Sequence, residues 1–176
     1  MTDKTNIIER GSTFIEEPVE RTRRGILSMI IIAVMLIIAG WRWSLTEASM
    51  GFFWILIAVV ISPALWIWPT RIGIRDGEFY IKRLFRTKVI PLDRIARVQP
   101  FVPSPADGRI WAYNVAGRLG WFKNWEKGLY FAYIGNTDQA FIIELKPEAD
   151  GRVRRYACSC RNQEAMMRAI SEAIND

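Results

Sequence analysis

The sequence contains no histidine and only two cysteines. Without histidine, Ser-His-Asp and Cys-His nucleophile systems, histidine-ligated zinc and an imidazole pH switch are excluded. Cys158 and Cys160 are separated by one residue, and two thiolates supply only half of a zinc ligand set. A disulfide across one residue would be strained. We therefore interpret both cysteines as small, buried side chains on one face of a strand.

Motifs for phosphate binding and catalysis are also absent from the sequence. The segment Gly117-Arg118-Leu119-Gly120 is too short for a phosphate-binding fingerprint, and there is no Walker motif. The carboxylates are scattered, and none lies in an apolar setting typical of a tuned acid or base. The sequence thus predicts a protein that is not an enzyme, with no catalytic residues, no metal site and no cofactor.

Apolar residues are abundant and concentrated. Mean hydropathy is +0.07 although 24% of the residues are charged. A run of 17 uncharged residues lies between Arg24 and Arg42, and a run of 23 lies between Glu47 and Arg71. At about 1.5 Å per helical residue they would reach roughly 25 and 34 Å, against about 30 Å for the hydrocarbon core of a bilayer. Two transmembrane helices are favoured over two buried core helices, since a small domain cannot cover helices that are apolar all round.

The residues that flank these runs favour the same interpretation. The first run could belong to a secretory signal peptide, but no clean cleavage site follows it and a second run comes next. Basic residues precede the first run and follow the second, so the positive-inside rule places both termini in the cytoplasm. We expect a multi-pass protein of the cell (inner) membrane. The residues expected to pack or lie at the membrane interface are Trp41, Trp43, Pro63, Trp66 and Trp68.

The predicted organisation has five parts. They are a cytoplasmic tail (1–24), a first transmembrane helix (25–43), an external loop (44–50), a second transmembrane helix (51–70) and a cytoplasmic domain (71–176). The tail has too few apolar residues to bury and is expected to be mostly solvated, although it could attach to a partner in extended form.

The last 106 residues alternate mostly with period two, which is typical of strands. Asp76-Gly77 predicts a hairpin turn between the first two strands, and Leu92–Arg94 a helical turn. About seven short strands are predicted, followed by one amphipathic helix in the last 16 residues, RNQEAMMRAISEAIND.

Two segments resemble the PH-like (pleckstrin-homology-like) domains of bacteria that follow paired membrane spans. They are RIGIRDGEFYIKRLFRTKVIPLDRIARV and GRLGWFKNWEKGLYFAYIGNTDQAFIIEL, in which family-like positions are held by Gly117, Gly120, Gly128, Tyr133 and Asn136. The resemblance implies an α+β membrane protein: a transmembrane hairpin followed by a bent antiparallel sandwich or barrel of about seven strands with a C-terminal capping helix. The first turn, Asp76-Gly77, is acidic and lacks the basic motif of inositide-binding members. The bacterial domains resemble scaffolds.

The segment from Pro103 to Lys127 is predicted to be a long loop, and loops of this length are usually functional or disordered. Its aromatic content argues against disorder. These residues could contact a protein partner, a membrane surface or single-stranded nucleic acid, or they could fill the core of the domain. The residues expected to contact a partner or membrane are Arg109, Trp111, Tyr113, Arg118, Trp121, Phe122, Lys123, Trp125 and Lys127.

Charge is distributed unevenly along the chain. Residues 71–127 hold 12 basic and 5 acidic groups, a net charge of +7, whereas residues 128–176 hold 6 and 7, a net charge of −1. We expect a non-catalytic accessory, stabilising or assembly subunit whose partners are other integral membrane protein subunits. The alternative is a module that binds the bilayer through anionic lipids. Nucleic acid is not an expected partner.

Overall fold

The computed structural model describes residues 14–20, 23–44, 68–113 and 117–175. The strands are β1 Ile15–Pro18, β2 Pro69–Arg75, β3 Glu78–Arg83, β4 Thr87–Pro91, β5 Ile95–Pro100, β6 Gly108–Tyr113, β7 Arg118–Asn124, β8 Gly128–Ile134, β9 Ala140–Leu145 and β10 Arg155–Ser159. The helices are α1 Arg23–Ser44 and α2 Gln163–Asn175, with 3₁₀ turns at Leu92–Arg94 and Thr137–Gln139.

Within the described residues the strands form two sheets. The first has the order β1-β2-β3-β4, and all its pairs are antiparallel. The second has the order β5-β9-β10-β8-β7-β6, with one parallel pair, β8 and β10. Strands β2 and β3 are joined by the tight turn Asp76-Gly77, where both residues have positive φ (52° and 76°), as this kind of hairpin turn requires.

Both sheets and α2 contribute to a central core. Its members are buried and include Ile72, Phe79 and Ile81 of the first sheet, Phe141 and Ile143 of the second, and Met166 and Ile170 of α2. The opposite face of the second sheet carries an outer core with Phe101, Phe122, Tyr130, Ile142 and Ala157. Strand β9 serves both cores, which is why AFIIEL is a continuous apolar run rather than an alternating one.

The predicted transmembrane hairpin is wrong. The predictions that depend on it are wrong as well: an α+β membrane protein, and a multi-pass protein of the inner membrane with both termini in the cytoplasm. None of the helices in the described ranges has the length and apolar character that crossing a bilayer demands. The uncharged run within α1 ends at Arg42 after 17 residues, at the lower limit of the roughly 17 to 25 residues of a transmembrane helix. Most of the second predicted span, 51–70, lies outside the described residues.

The seven strands predicted in the last part of the chain are confirmed as β2–β5 and β8–β10, together with the turn at Leu92–Arg94 and helix α2. The predicted number of about seven strands is wrong, because β6 and β7 also lie in this part of the chain. The prediction that all strand pairs are antiparallel is wrong as well. Strands β1, β6 and β7 were not expected, and β8 and β10 pair in parallel. Part of the tail expected to be solvated is thus an edge strand, and the segment expected to be a loop contains a hairpin.

Candidate functional site

Within the segment 103–127, strands β6 and β7 pair antiparallel, as a hairpin, at one edge of the second sheet. Strand β7 pairs with β8 on its other side, and β6 is the outermost strand. The register of β6 shifts between Arg109 and Trp111, which makes a bulge. Just beyond the bulge, Ala112 pairs with Gly120, whose φ is +114°. The hairpin therefore carries its aromatic residues on a fixed scaffold.

An aromatic row crosses the sheet from the core to this edge. Tyr156 lies opposite Phe131, Phe131 opposite Trp121, and Trp121 opposite Trp111. The Trp121 and Phe131 rings meet edge to face, with centroids 5.1 Å apart and planes at 83°. Tyr156 is buried, whereas Trp121 is 37% exposed and Trp111 69% exposed. The row thus begins in the core and ends in an exposed surface.

We use the name hairpin surface for a set of exposed apolar and basic residues on β6, β7, the β7–β8 turn and the start of β8. It comprises Ile110, Trp111, Trp121, Lys123, Trp125 and Leu129. Ile110 is 58% exposed and Trp125 is 92% exposed. Exposed clusters of this kind mark interaction sites, and Trp is the residue type that most often dominates binding energy.

Arg118 and Phe122 lie on the other face of β7 and are buried. The Arg118 guanidinium donates to the Asp107 carboxylate (2.8 Å) and to the carbonyl oxygen of Ser104 (2.6 Å), and it lies over the Phe122 ring. Asp107 also accepts from the Tyr130 hydroxyl (2.8 Å). Burial and the hydrogen bond to Asp107 raise the pKa of Tyr130, which keeps its hydroxyl a donor. These hydrogen bonds hold Ser104 and Asp107, which precede β6, against strands β7 and β8.

The other residues expected to contact a partner have varied positions. Lys123 is exposed, and Lys127 is half-buried. Arg109 is exposed at the start of the bulge, and Tyr113 ends β6 opposite Leu119. The hairpin surface therefore includes four of the nine expected residues, whereas Arg118 and Phe122 lie on the opposite face of β7.

The residues expected at a membrane interface are not brought together in the described residues. Trp41 is an exposed residue of α1, and Trp43 belongs to the last turn of that helix. Trp68 is half-buried and packs against the central core. Pro63 and Trp66 lie outside the described residues.

Ile110 and Leu129 belong to the hairpin surface but were not expected there. Leu129, Phe131 and Tyr133 alternate along β8 and share one face of the sheet. Of these three side chains only Tyr133 is buried in the central core. Leu129 lies outside the central core and is exposed. Asp107 was also missed. Its signal was that it is one of only two carboxylates in the segment 103–127, which also contains Arg109 and Arg118.

The cysteines lie in the central core, as expected. Burial raises the pKa of the Cys158 thiol, and burial together with the nearby Glu17 carboxylate raises that of Cys160 to about 12. Thiols in this state are poor nucleophiles and poor metal ligands. Among residues 14–20, 23–44, 68–113 and 117–175, no group of three or more Asp, Glu, Cys or His side chains is placed to hold a metal ion.

No protein family, curated protein or solved structure matches this chain. The hairpin surface is therefore the feature from which a function is inferred.

Proposed function

We propose that this chain is a non-catalytic accessory or assembly subunit that binds other protein subunits through the hairpin surface. The subunits proposed as partners are integral membrane proteins of a larger complex. The observation that carries the proposal is the exposure of Trp111 on the edge strand β6 and of Trp125 in the β7–β8 turn. Exposure of large aromatic side chains to water is unfavourable, and a protein partner that covers them gains free energy.

The proposed module is PH-like. Two packed sheets closed by the C-terminal helix α2 support this proposal. The parallel pairing of β8 and β10 departs from the antiparallel sandwich that the resemblance implies. The turn at Asp76-Gly77 has an exposed carboxylate beside Arg75 (3.1 Å) and lacks a cluster of free cations, which favours a scaffold over an inositide-binding module.

The second candidate function is binding to a membrane surface that contains anionic lipids. Lys123 and Lys127 lie close in sequence to the almost fully exposed Trp125. Basic residues at an anionic surface contribute about 1 kcal/mol each, and Trp favours the headgroup region.

A comparison of partner recovery tests the proposal. The full chain is purified in gentle detergent as the natural protein, as the double variant Trp111→Ser/Trp125→Ser, and as Leu84→Ser, which alters an exposed apolar residue of the first sheet's β3–β4 turn. We expect stoichiometric subunits with the natural protein and Leu84→Ser. We expect at least tenfold less with the double variant, since loss of a central tryptophan typically costs about 2 kcal/mol or more.

Flotation with vesicles of phosphatidylglycerol distinguishes the two candidates. Equal partner recovery with all three proteins would contradict the proposed function. Recovery of no partner, combined with salt-sensitive flotation that the double variant loses, would favour the lipid-binding alternative.

A further inference from the structure

The outermost strands of the two sheets differ in how they end. In the described residues the sheet edges are β1 and β4 in the first sheet and β5 and β6 in the second. An edge strand presents unpaired backbone N–H and C=O groups, which can pair with another chain. Natural proteins protect such edges with short strands, prolines, charges and bulges.

Three of these edges end in proline. Strand β1 has four residues and ends at Pro18, β4 has five and ends at Pro91, and β5 ends at Pro100. Strand β6, with the sequence GRIWAY, has no proline and a single charged residue, and it exposes Ile110 and Trp111. Its one protective feature is the bulge after Arg109. Beyond the bulge, Trp111, Ala112 and Tyr113 keep a regular register with β7.

The surroundings of this edge are basic. Lys123 lies on the same face of β7 as Trp121, because residues two apart on a strand share a face. Lys127 follows in the β7–β8 turn, where Glu126 is the one acidic residue. Across β6, β7 and the turn after β7, the charged residues that are exposed or half-buried are three basic ones (Arg109, Lys123 and Lys127) and one acidic one (Glu126), a net charge of +2. A strand added at β6 would therefore be favoured if it carried carboxylates.

We propose that β6 receives an extended, acidic segment of a partner protein as a seventh strand of the second sheet. Backbone hydrogen bonds to β6 would hold the segment, as in other complexes formed by strand addition. On one face its side chains would contact Trp111 and, beyond it, Trp121, while its carboxylates would lie near Lys123. This inference rests on the proposed function and adds the conformation and charge of the partner segment.

Three synthetic decapeptides test the inference with the full chain. The first alternates Glu and Val, the second is the same peptide N-methylated at alternate residues, and the third alternates Lys and Val. Binding is measured by fluorescence anisotropy at low salt. We expect saturable binding of the Glu-Val peptide and at least tenfold weaker binding of the other two. N-methylation removes backbone donors, and lysine reverses the charge.

Two charge-reversal variants serve as a matched pair. Lys123→Glu should weaken binding of the Glu-Val peptide at least tenfold, and Lys82→Glu, on an exposed position of β3 in the other sheet, should leave it unchanged. Both lysines are exposed, so neither change should affect folding.

Absence of saturable binding, or equal binding of the N-methylated peptide, would overturn strand addition at β6. Binding to phosphatidylglycerol vesicles without binding of the Glu-Val peptide would overturn it in favour of a membrane. The proposed function is contradicted by a different result, namely unchanged partner recovery with the Trp111→Ser/Trp125→Ser variant.

Discussion

At the scale of single residues, Gly120 decides the shape of the hairpin surface. It lies in β7 with φ of +114°, and a Cβ there would overlap the backbone carbonyl oxygen of Trp111. Glycine thus allows β6 to approach β7 closely where Gly120 pairs with Ala112, just beyond the bulge. The position of Trp111 depends on a residue that has no side chain.

We predict that Gly120→Ala destabilises the protein by about 3 kcal/mol and increases the exposure of Trp111, because backbone strain and steric overlap act together. Gly77→Ala is the matched control: φ there is +76°, but nothing lies within 4 Å of a Cβ. It should cost only about 1 kcal/mol. Urea unfolding measures both, and equal losses would show that the contact with Trp111 is unimportant.

The buried thiols predict how stability depends on pH. The pKa of Cys160 rises from 9.0 to about 12 on folding, mainly through burial, and that of Cys158 rises as well. Above pH 9 the unfolded chain therefore binds fewer protons than the folded chain. The stabilisation is complete below pH 9 and is lost as pH rises from 9 towards 12.

We expect the free energy of unfolding to fall between about pH 8 and about pH 10, by up to about 1.4 kcal/mol per pH unit for each thiol. Urea unfolding at the two pH values measures it. In the double variant Cys158→Ala/Cys160→Ala the fall should be clearly smaller, whatever the variant's stability at pH 8. An unchanged fall would mean that other groups cause it.

At the scale of elements, β1 is attached to the rest of the fold at several points. Glu16 pairs with Arg71 of β2 (3.3 Å), and the amide of Val19 donates to the carbonyl oxygen of Thr70 (3.1 Å). Gly73 of β2 lies beside β1 in the sheet, and a Cβ there would overlap the carbonyl oxygen of Ile15 and the ring of Tyr80. Burial, and then the Glu16 carboxylate, raise the pKa of Tyr80 to about 12.

We predict that Gly73→Ala releases β1 from β2 and lowers the pKa of Tyr80 from about 12 towards 10.0, because release removes both burial and the Glu16 charge. Spectrophotometric titration of tyrosine, with Tyr80→Phe to assign the signal, measures the change. Glu16→Gln should lower the pKa less, since burial is the larger cause. If both variants titrate like the natural protein, β1 does not cover Tyr80.

Predictability from sequence follows how regularly each element alternates. Strands such as β3 alternate because one face meets the central core, and the sequence alone was sufficient to locate them. β6 was missed because its bulge breaks the period of two and because Ile110 and Trp111 are both exposed. β1 was missed because a strand paired through its backbone needs few apolar residues. The aromatic residues of the site could be named, but the division of β7 into exposed Trp121 and buried Phe122 required the register.

At the scale of the whole molecule, one core joins the two sheets. Ile81 of β3 and Phe141 of β9 belong to it, and Ile170 of α2 packs into the same cluster. Separation of either sheet from the other would expose the residues of this cluster to water. The two sheets should therefore unfold together, with α2 contributing to the stability of both.

We predict that Ile170→Ala lowers the free energy of hydrogen exchange by the same amount, about 3 kcal/mol, for the slowest amides of β3 and of β9. Amides of β6, at the edge, should exchange faster than both and respond less, because they open locally. Val102→Ala, at an exposed position after β5, is the control and should change neither set. If Ile170→Ala affects β9 alone, the sheets open independently. A shared loss would instead mean that the hairpin surface projects from a single cooperative unit, so that a partner bound to β6 stabilises both sheets as it stabilises the folded state.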